Sequence, residues 1–307
     1  MPLALWALTI SAFAIGTTEF VIVGLIPTIA EQLNITLPSA GMLVSIYALG
    51  VAVGAPVLTA LTGKVPRKPL LIGLMVLFTL GNLVAWLAPN YETLVIARLL
   101  TGLAHGVFFS VGSTIATSLV SKEKAASAIA IMFGGLTVAL VTGVPLGTLI
   151  GQHFGWRESF LAVSMLGVIA LVSSMVLIPR NIAQPPVTTL MQQARVMVNP
   201  RLLLIYAITA LGYGSVFTAF TFLAPMMQSL AGFSPTAVSI ILLGYGISVA
   251  IGNIWGGKLA DRHGAVLALT LIFSALAVLL LLFQLPANTH FMALATVLVI
   301  GLFAFAN

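Results

Sequence analysis

From Leu202 the chain runs for 56 residues, up to Lys258, without one Asp, Glu, Lys or Arg. One bilayer-spanning helix takes about 20 apolar residues, so this stretch holds two spans and a turn. Pro69–Tyr91, Leu99–Ser121 and Ala125–Trp156 are charge-free as well. In hydrocarbon every backbone N–H and C=O must be satisfied within the protein, which restricts such segments to helices. Of the 307 residues, 60% are hydrophobic and 6% are charged, against about 25% charged in an ordinary soluble domain. A water-soluble surface needs more polar cover than that. The composition excludes a soluble enzyme, a nucleic-acid reader and a disordered protein. No cysteine is present, so disulfides, thiolate metal sites and a Cys nucleophile are excluded too.

Turn signals at Asn34–Pro38, Gly63–Pro69, Ala88–Tyr91, Gly232–Pro235 and Pro286–Asn288 separate the apolar runs. They predict ten spans: 4–27, 40–61, 70–88, 92–118, 126–149, 158–178, 202–226, 236–257, 265–285 and 291–307. The first lacks the basic leader and small-residue site of a cleaved signal peptide. With the N-terminus in the cytoplasm, the inner loops hold Lys64, Arg67, Lys68, Lys122, Lys124, Arg180, Arg195, Arg201, Lys258 and Arg262. The outer loops hold Arg157 alone, and Arg98 lies within a span. Cytoplasmic loops collect Lys and Arg, so the net charge of +6 is explained by topology and implies no nucleic-acid partner. The expected location is a bacterial inner membrane, crossed many times, with the lipid bilayer as the one certain partner.

A shift of 198 residues brings Gly16 onto Gly214, Pro27 onto Pro225, Tyr47 onto Tyr245 and Gly54 onto Gly252. Leu25, Val51, Ala52, Leu61 and Leu71 meet identical residues at the same offset. Six spans separate the copies, so both begin on one side of the membrane and form a parallel repeat. The expected organisation is a six-helix bundle over 1–178, a cytoplasmic linker over 179–201 made extended by Pro185–Pro186, and a second bundle over 202–307. The second copy holds about four of six helices, so the chain reads as truncated in its tenth helix.

Four local patterns carry a family resemblance. Gly257-Lys-Leu-Ala-Asp-Arg-His-Gly264 lies between spans eight and nine, and Arg98 with Gly102 and Gly106 in span four. Gly143-Val-Pro-Leu-Gly147 lies in span five, and Gly16-Thr-Thr-Glu-Phe20 followed by Pro27 in span one. Together they resemble the major facilitator superfamily. Within it the chain is similar to the twelve-helix drug:proton antiporters, of the arabinose-efflux and chloramphenicol-resistance type. The resemblance implies an all-α polytopic membrane fold of two parallel six-helix repeats, and secondary transport rather than catalysis. It also implies a cytoplasmic gate at Lys64, Arg67, Lys68, Asp261 and Arg262. The loop Leu61-Thr-Gly-Lys-Val-Pro-Arg-Lys68 departs from the family pattern. Gly63 stands where the family has an acid, and Pro66 where it has a glycine.

Glu19 and Arg98 are the charges placed well inside the hydrocarbon, where each needs a partner or water. At about 1.5 Å per residue they lie at similar depth, so the sequence predicts that they approach each other or share a water cavity. Desolvation favours the neutral acid and a guanidinium favours the carboxylate. An acid held between the two switches protonation as its surroundings open and close. His105, seven residues from Arg98 on nearly the same face, is a candidate relay. Protons are then the coupling ion, with no metal and no organic cofactor. Tyr47 and its mate Tyr245, with Thr101, Tyr213, Phe217 and Asn253, are candidates for a substrate cavity. The mates of Glu19, Arg98 and His105 are Phe217, Thr296 and Phe303. Proton coupling is therefore expected in the first half and an apolar substrate wall in the second. Gly143, Gly147 and Gly151 recur every four residues around Pro145, a spacing that lets helices approach closely.

No nucleotide-binding, metalloprotease or nucleophile-elbow pattern is present. The reading is a proton-coupled exporter of a small molecule, sugar or drug-like, working as a monomer by alternating access. An uptake symporter uses the same parts, and a transport-inactive sensor is the third alternative.

Overall fold

The computed structural model describes residues 2–182, 198–282 and 290–304, and every regular element among them is a helix. Eight helices are long and apolar enough to cross a membrane. They are α1 Leu3–Gln32, α2 Leu37–Leu61, α3 Arg67–Trp86, α4 Tyr91–Ser118, α5 Lys122–Phe154, α6 Trp156–Leu177, α7 Pro200–Ser229 and α8 Pro235–His263. Two shorter apolar helices follow, α9 Ala265–Leu282 and α10 His290–Ala304. Each predicted span has its helix. Arg195, the Pro185–Pro186 pair and the Pro286–Asn288 turn lie outside the described residues.

Local chemistry sets the helix ends. Thr36, Asn90 and Ser234 cap α2, α4 and α8 by accepting from the backbone N–H three residues on, as short polar side chains do at N-caps. Gly155 and Gly264 stop α5 and α8 with φ of 102° and 86°, a backbone region open mainly to glycine. Two helices carry one wide π-turn each, Gly54–Leu58 in α2 and Ala139–Gly143 in α5. Pro56 lies in the first and Pro145 just beyond the second. A proline ring excludes the carbonyl four residues back from the ladder, and a π-turn absorbs that defect. Pro27 leaves α1 continuous, whereas α7 is interrupted at Phe222, just before its repeat mate Pro225.

Close approaches bind the first bundle. A methyl on Gly143, Gly147 or Gly151 of α5 would collide with Thr17, Val21 or Leu25 of α1, so the four-residue stripe is a backbone-to-side-chain seam. The repeat mates Gly54 and Gly252 make equivalent crossings. Gly54 abuts Leu103 of α4, and Gly252 abuts Leu302 of α10.

Among the described residues the two bundles share one of the two apolar cores. One apolar core joins Phe20–Ala30 of α1, Leu140 and Val144 to Phe220, Leu223, Ala224 and Tyr245. The other, toward the N-terminal side, holds Ala4–Ile15, Leu70–Phe78 and Ala104–Ala116 and no residue of the second bundle. On that side Leu203, Leu204, Ile251 and Ile254 of the second bundle are exposed. Among the described residues the molecule is closed on the side away from the N-terminus and open on the N-terminal side.

Candidate functional site

At the inner edge of the closed half, α1, α2 and α4 bring four polar side chains together. The Tyr47 hydroxyl lies 2.8 Å from His105 Nδ1, and Glu19 Oε2 lies 3.7 Å from the same nitrogen. The Arg98 guanidinium stacks 4.1 Å above the Tyr47 ring. Arg98 Nη1 donates to the Thr18 carbonyl at 2.7 Å, and Nε to the Leu43 carbonyl at 3.3 Å. Glu19 and His105 keep 18% and 12% of their side-chain surface, whereas Arg98 keeps 1%. The acid and the imidazole therefore form the accessible front of the cluster, and the cation forms its buried back.

Glu19 and Arg98 thus lie in one cluster, linked through Tyr47 and His105. Among the described residues Glu19 faces the His105 imidazole, and Arg98, in the same cluster, is held by two main-chain carbonyls and an aromatic face. A guanidinium carries five donors, and carbonyls turned inward from neighbouring helices satisfy part of its demand without a carboxylate. Arg98 Nη2 stays buried without an acceptor among the described residues. Behind the cluster, the Thr18 hydroxyl donates to Asn82 Oδ1, and Asn82 Nδ2 donates to the Phe78 carbonyl. Asn82 thus ties α3 to the residue whose carbonyl holds Arg98.

Directly beyond Glu19, toward the closed side, aromatic rings from both bundles stack. Phe20 lies 6.0 Å from Phe217 and 6.2 Å from Phe220, and Phe220 stacks on Tyr245 at 5.0 Å. A small apolar pocket there is lined by Phe220, Leu223, Tyr245, Val297 and Ile300. Tyr245 and Phe217 thus stand where the two halves face each other. Their expected companion Tyr47 is spent within the Glu19 cluster. Thr101 is turned away, with its hydroxyl on the Ala97 and Arg98 carbonyls and its methyl against Gly81 of α3. Tyr213 is half-buried on α7, and Asn253 is exposed on α8; neither joins the cluster.

Of the residues expected to form a gate, Lys64, Asp261 and Arg262 are exposed, and none makes an ion pair within the described residues. Arg67 is buried, with no acceptor for its Nε among the described residues. The Lys68 ammonium donates to the Met175 and Ile178 carbonyls at the end of α6, at 2.7 and 2.5 Å. It acts within the first bundle instead of bridging the two. A cation on the last carbonyls of a helix also suits its dipole. Sequence reasoning missed a polar contact between the bundles. Gln152 of α5 donates to the Pro235 carbonyl at 2.8 Å and accepts from the Ser239 hydroxyl at 3.0 Å. A lone amide at the end of an apolar span was the available signal. No three metal-ligating side chains come together among the described residues.

The family model described as Major Facilitator Superfamily matches residues 8–307. The chain belongs to the major facilitator superfamily. It is 49% identical over 304 residues to the MFS-type transporter YtbD of Bacillus subtilis, covering 99% of this chain and 76% of that one. It is 44% identical over 306 residues to the inner membrane transport protein YdhP of Escherichia coli K12, covering 98% and 77%. In fold it is similar to the crystal structure of a bacterial homolog of the human lysosomal transporter Spinster in an inward-facing, occupied conformation. That match has a TM-score of 0.73 at 17% identity, covering 98% of this chain and 72% of the other. As a superfamily member the chain is a multi-pass membrane protein of secondary transport.

Proposed function

We propose that the protein exports a small molecule in exchange for protons, with Glu19 as the proton-carrying group. The observation that carries this reading is the Glu19–His105 contact at the open edge of the aromatic closure. An intramembrane acid needs a partner in each protonation state. The carboxylate has His105 and, within the same cluster, the unmet Nη2 donor of Arg98. The acid form needs only the imidazole or water. Loss and gain of one proton then change which neighbour Glu19 holds. The basic N-terminal-side loops favour a cytoplasmic N-terminus, which makes this conformation open to the cytoplasm. Inward movement of one proton supplies about 2.3 kcal/mol per 100 mV and about 1.4 kcal/mol per pH unit. The aromatic and apolar second-bundle wall suits a substrate with an apolar face.

The test uses everted vesicles carrying the protein, loaded acid inside and followed with a pH-sensitive dye. Addition of sugars or amphipathic drugs should collapse the gradient for at least one compound. A broad panel that moves no protons, with substrate flux intact, would reject proton exchange.

Alternating access also requires the closed side to open. Gln152→Ala removes two bonds between the bundles, each contributing about 1 kcal/mol. The variant should shift the balance toward the opposite-facing state roughly thirtyfold. A cysteine placed at Phe217 should then react faster with a membrane-impermeant thiol reagent added from the periplasmic face. An unchanged rate would show that Gln152 does not hold that side shut.

A further inference from the structure

Where α3 begins and α6 ends, cationic charge stands uncompensated. The α2–α3 turn carries Lys64, while Arg67 and Lys68 open α3 and Arg180 follows α6. The sequence has no Asp or Glu between Glu31 and Glu92, nor between Glu158 and Asp261. Lys68 and Arg180 line one open cleft of about 480 Å³ with Pro66, Pro69, Ile72 and Met175. The bonds to Met175 and Ile178 fix the Lys68 ammonium at the cleft and use two of its three donors. Beside the cleft, Val172, Met175 and Val176 are 51%, 48% and 73% exposed on α6, an apolar flank facing the acyl region. A fixed ammonium, an exposed guanidinium and an apolar flank at the end of two spans match one lipid molecule. Its phosphate would lie between the cations and one chain along α6.

We propose that this cleft binds the phosphate headgroup of an anionic phospholipid from the leaflet on the N-terminal side. A zwitterionic lipid brings its own ammonium and leaves the two cations unneutralised. An anionic lipid neutralises them, and juxtamembrane Lys and Arg attract such headgroups.

The test counts lipids on the purified protein in nonionic detergent by native mass spectrometry. The protein is titrated with short-chain phosphatidylglycerol, with the matching phosphatidylcholine, and with phosphatidylglycerol in the presence of inorganic phosphate. Phosphatidylglycerol should bind at least about tenfold more tightly than phosphatidylcholine, and more weakly as salt screens the cations. Arg180 is exposed, so Arg180→Gln should keep the melting temperature while lowering phosphatidylglycerol affinity about fivefold. Lys258→Gln, which removes a cation from α8 outside the cleft, should leave affinity within about twofold. Equal binding of the two lipids overturns the proposal, and so does an Arg180→Gln variant with wild-type affinity. Displacement of the lipid by inorganic phosphate at equal concentration would mark a free-anion site and overturn the lipid assignment.

Discussion

Glu19→Gln should end the coupling of transport to protons while leaving the protein folded. The glutamine keeps the length and shape of the side chain, and its amide still reaches the His105 nitrogen that lies 3.7 Å from Glu19 Oε2. It cannot take up or release a proton. If one proton moves per substrate, each pH unit sustains about a tenfold substrate gradient. The variant should sustain a ratio near one at any imposed pH difference, even where downhill substrate exchange continues. Tyr47→Phe is the companion measurement. It removes the hydroxyl that lies 2.8 Å from His105 and keeps the ring beneath Arg98. A slower rate with unchanged stoichiometry is expected, because the proton carrier stays while the orientation of the imidazole is loosened. A Glu19→Gln protein that still accumulates substrate in proportion to the pH gradient would remove Glu19 from the coupling step.

The spans were legible because their signal is one-dimensional. Charge is absent from the helices and present at their ends, and a fixed offset of 198 residues relates Tyr47 to Tyr245 and Gly54 to Gly252. What was not legible is the rotation of each helix about its axis. In a soluble helix one face is polar, and that asymmetry fixes the phase. Here lipid-facing and protein-facing residues are equally apolar, so Thr101 and His105 looked alike as neighbours of Arg98. Three residues turn Thr101 toward α3, and seven return His105 to the face that meets Glu19 and Tyr47. The partners of Arg98 were hidden for a related reason. They are the Thr18 and Leu43 carbonyls, and every residue carries a carbonyl. The π-turns left a partial trace in Pro56 and Pro145, which mark where a helix ladder must open but not how.

Gly102→Val should lower the melting temperature and, separately, dismantle the site. The crossing of α2 and α4 is reciprocal. Added methyls on Gly102 and Gly106 would run into the Tyr47 and Val51 carbonyls, and those on Gly50 and Gly54 into the Leu99 and Leu103 carbonyls. The obstacle is main chain on both sides, so no side-chain rotation relieves it. Overpacking of this kind costs about 1–3 kcal/mol, and a clash with backbone belongs at the upper end. A fall of roughly 3–5 °C is expected for a chain of this size. Gly73→Val is the control, because nothing lies within 4 Å of a methyl placed there on α3, and it should melt close to the wild type. The consequence for function follows from which residue the clash displaces. The Tyr47 carbonyl and the Tyr47 ring belong to one residue, and that ring carries the Arg98 guanidinium while its hydroxyl faces His105. Pushing α2 from α4 therefore separates the imidazole from its phenol and the cation from its aromatic face together. Proton-coupled flux should be lost even at temperatures where the variant remains folded. A Gly102→Val protein with wild-type melting and coupling would show that another contact holds the four side chains in place.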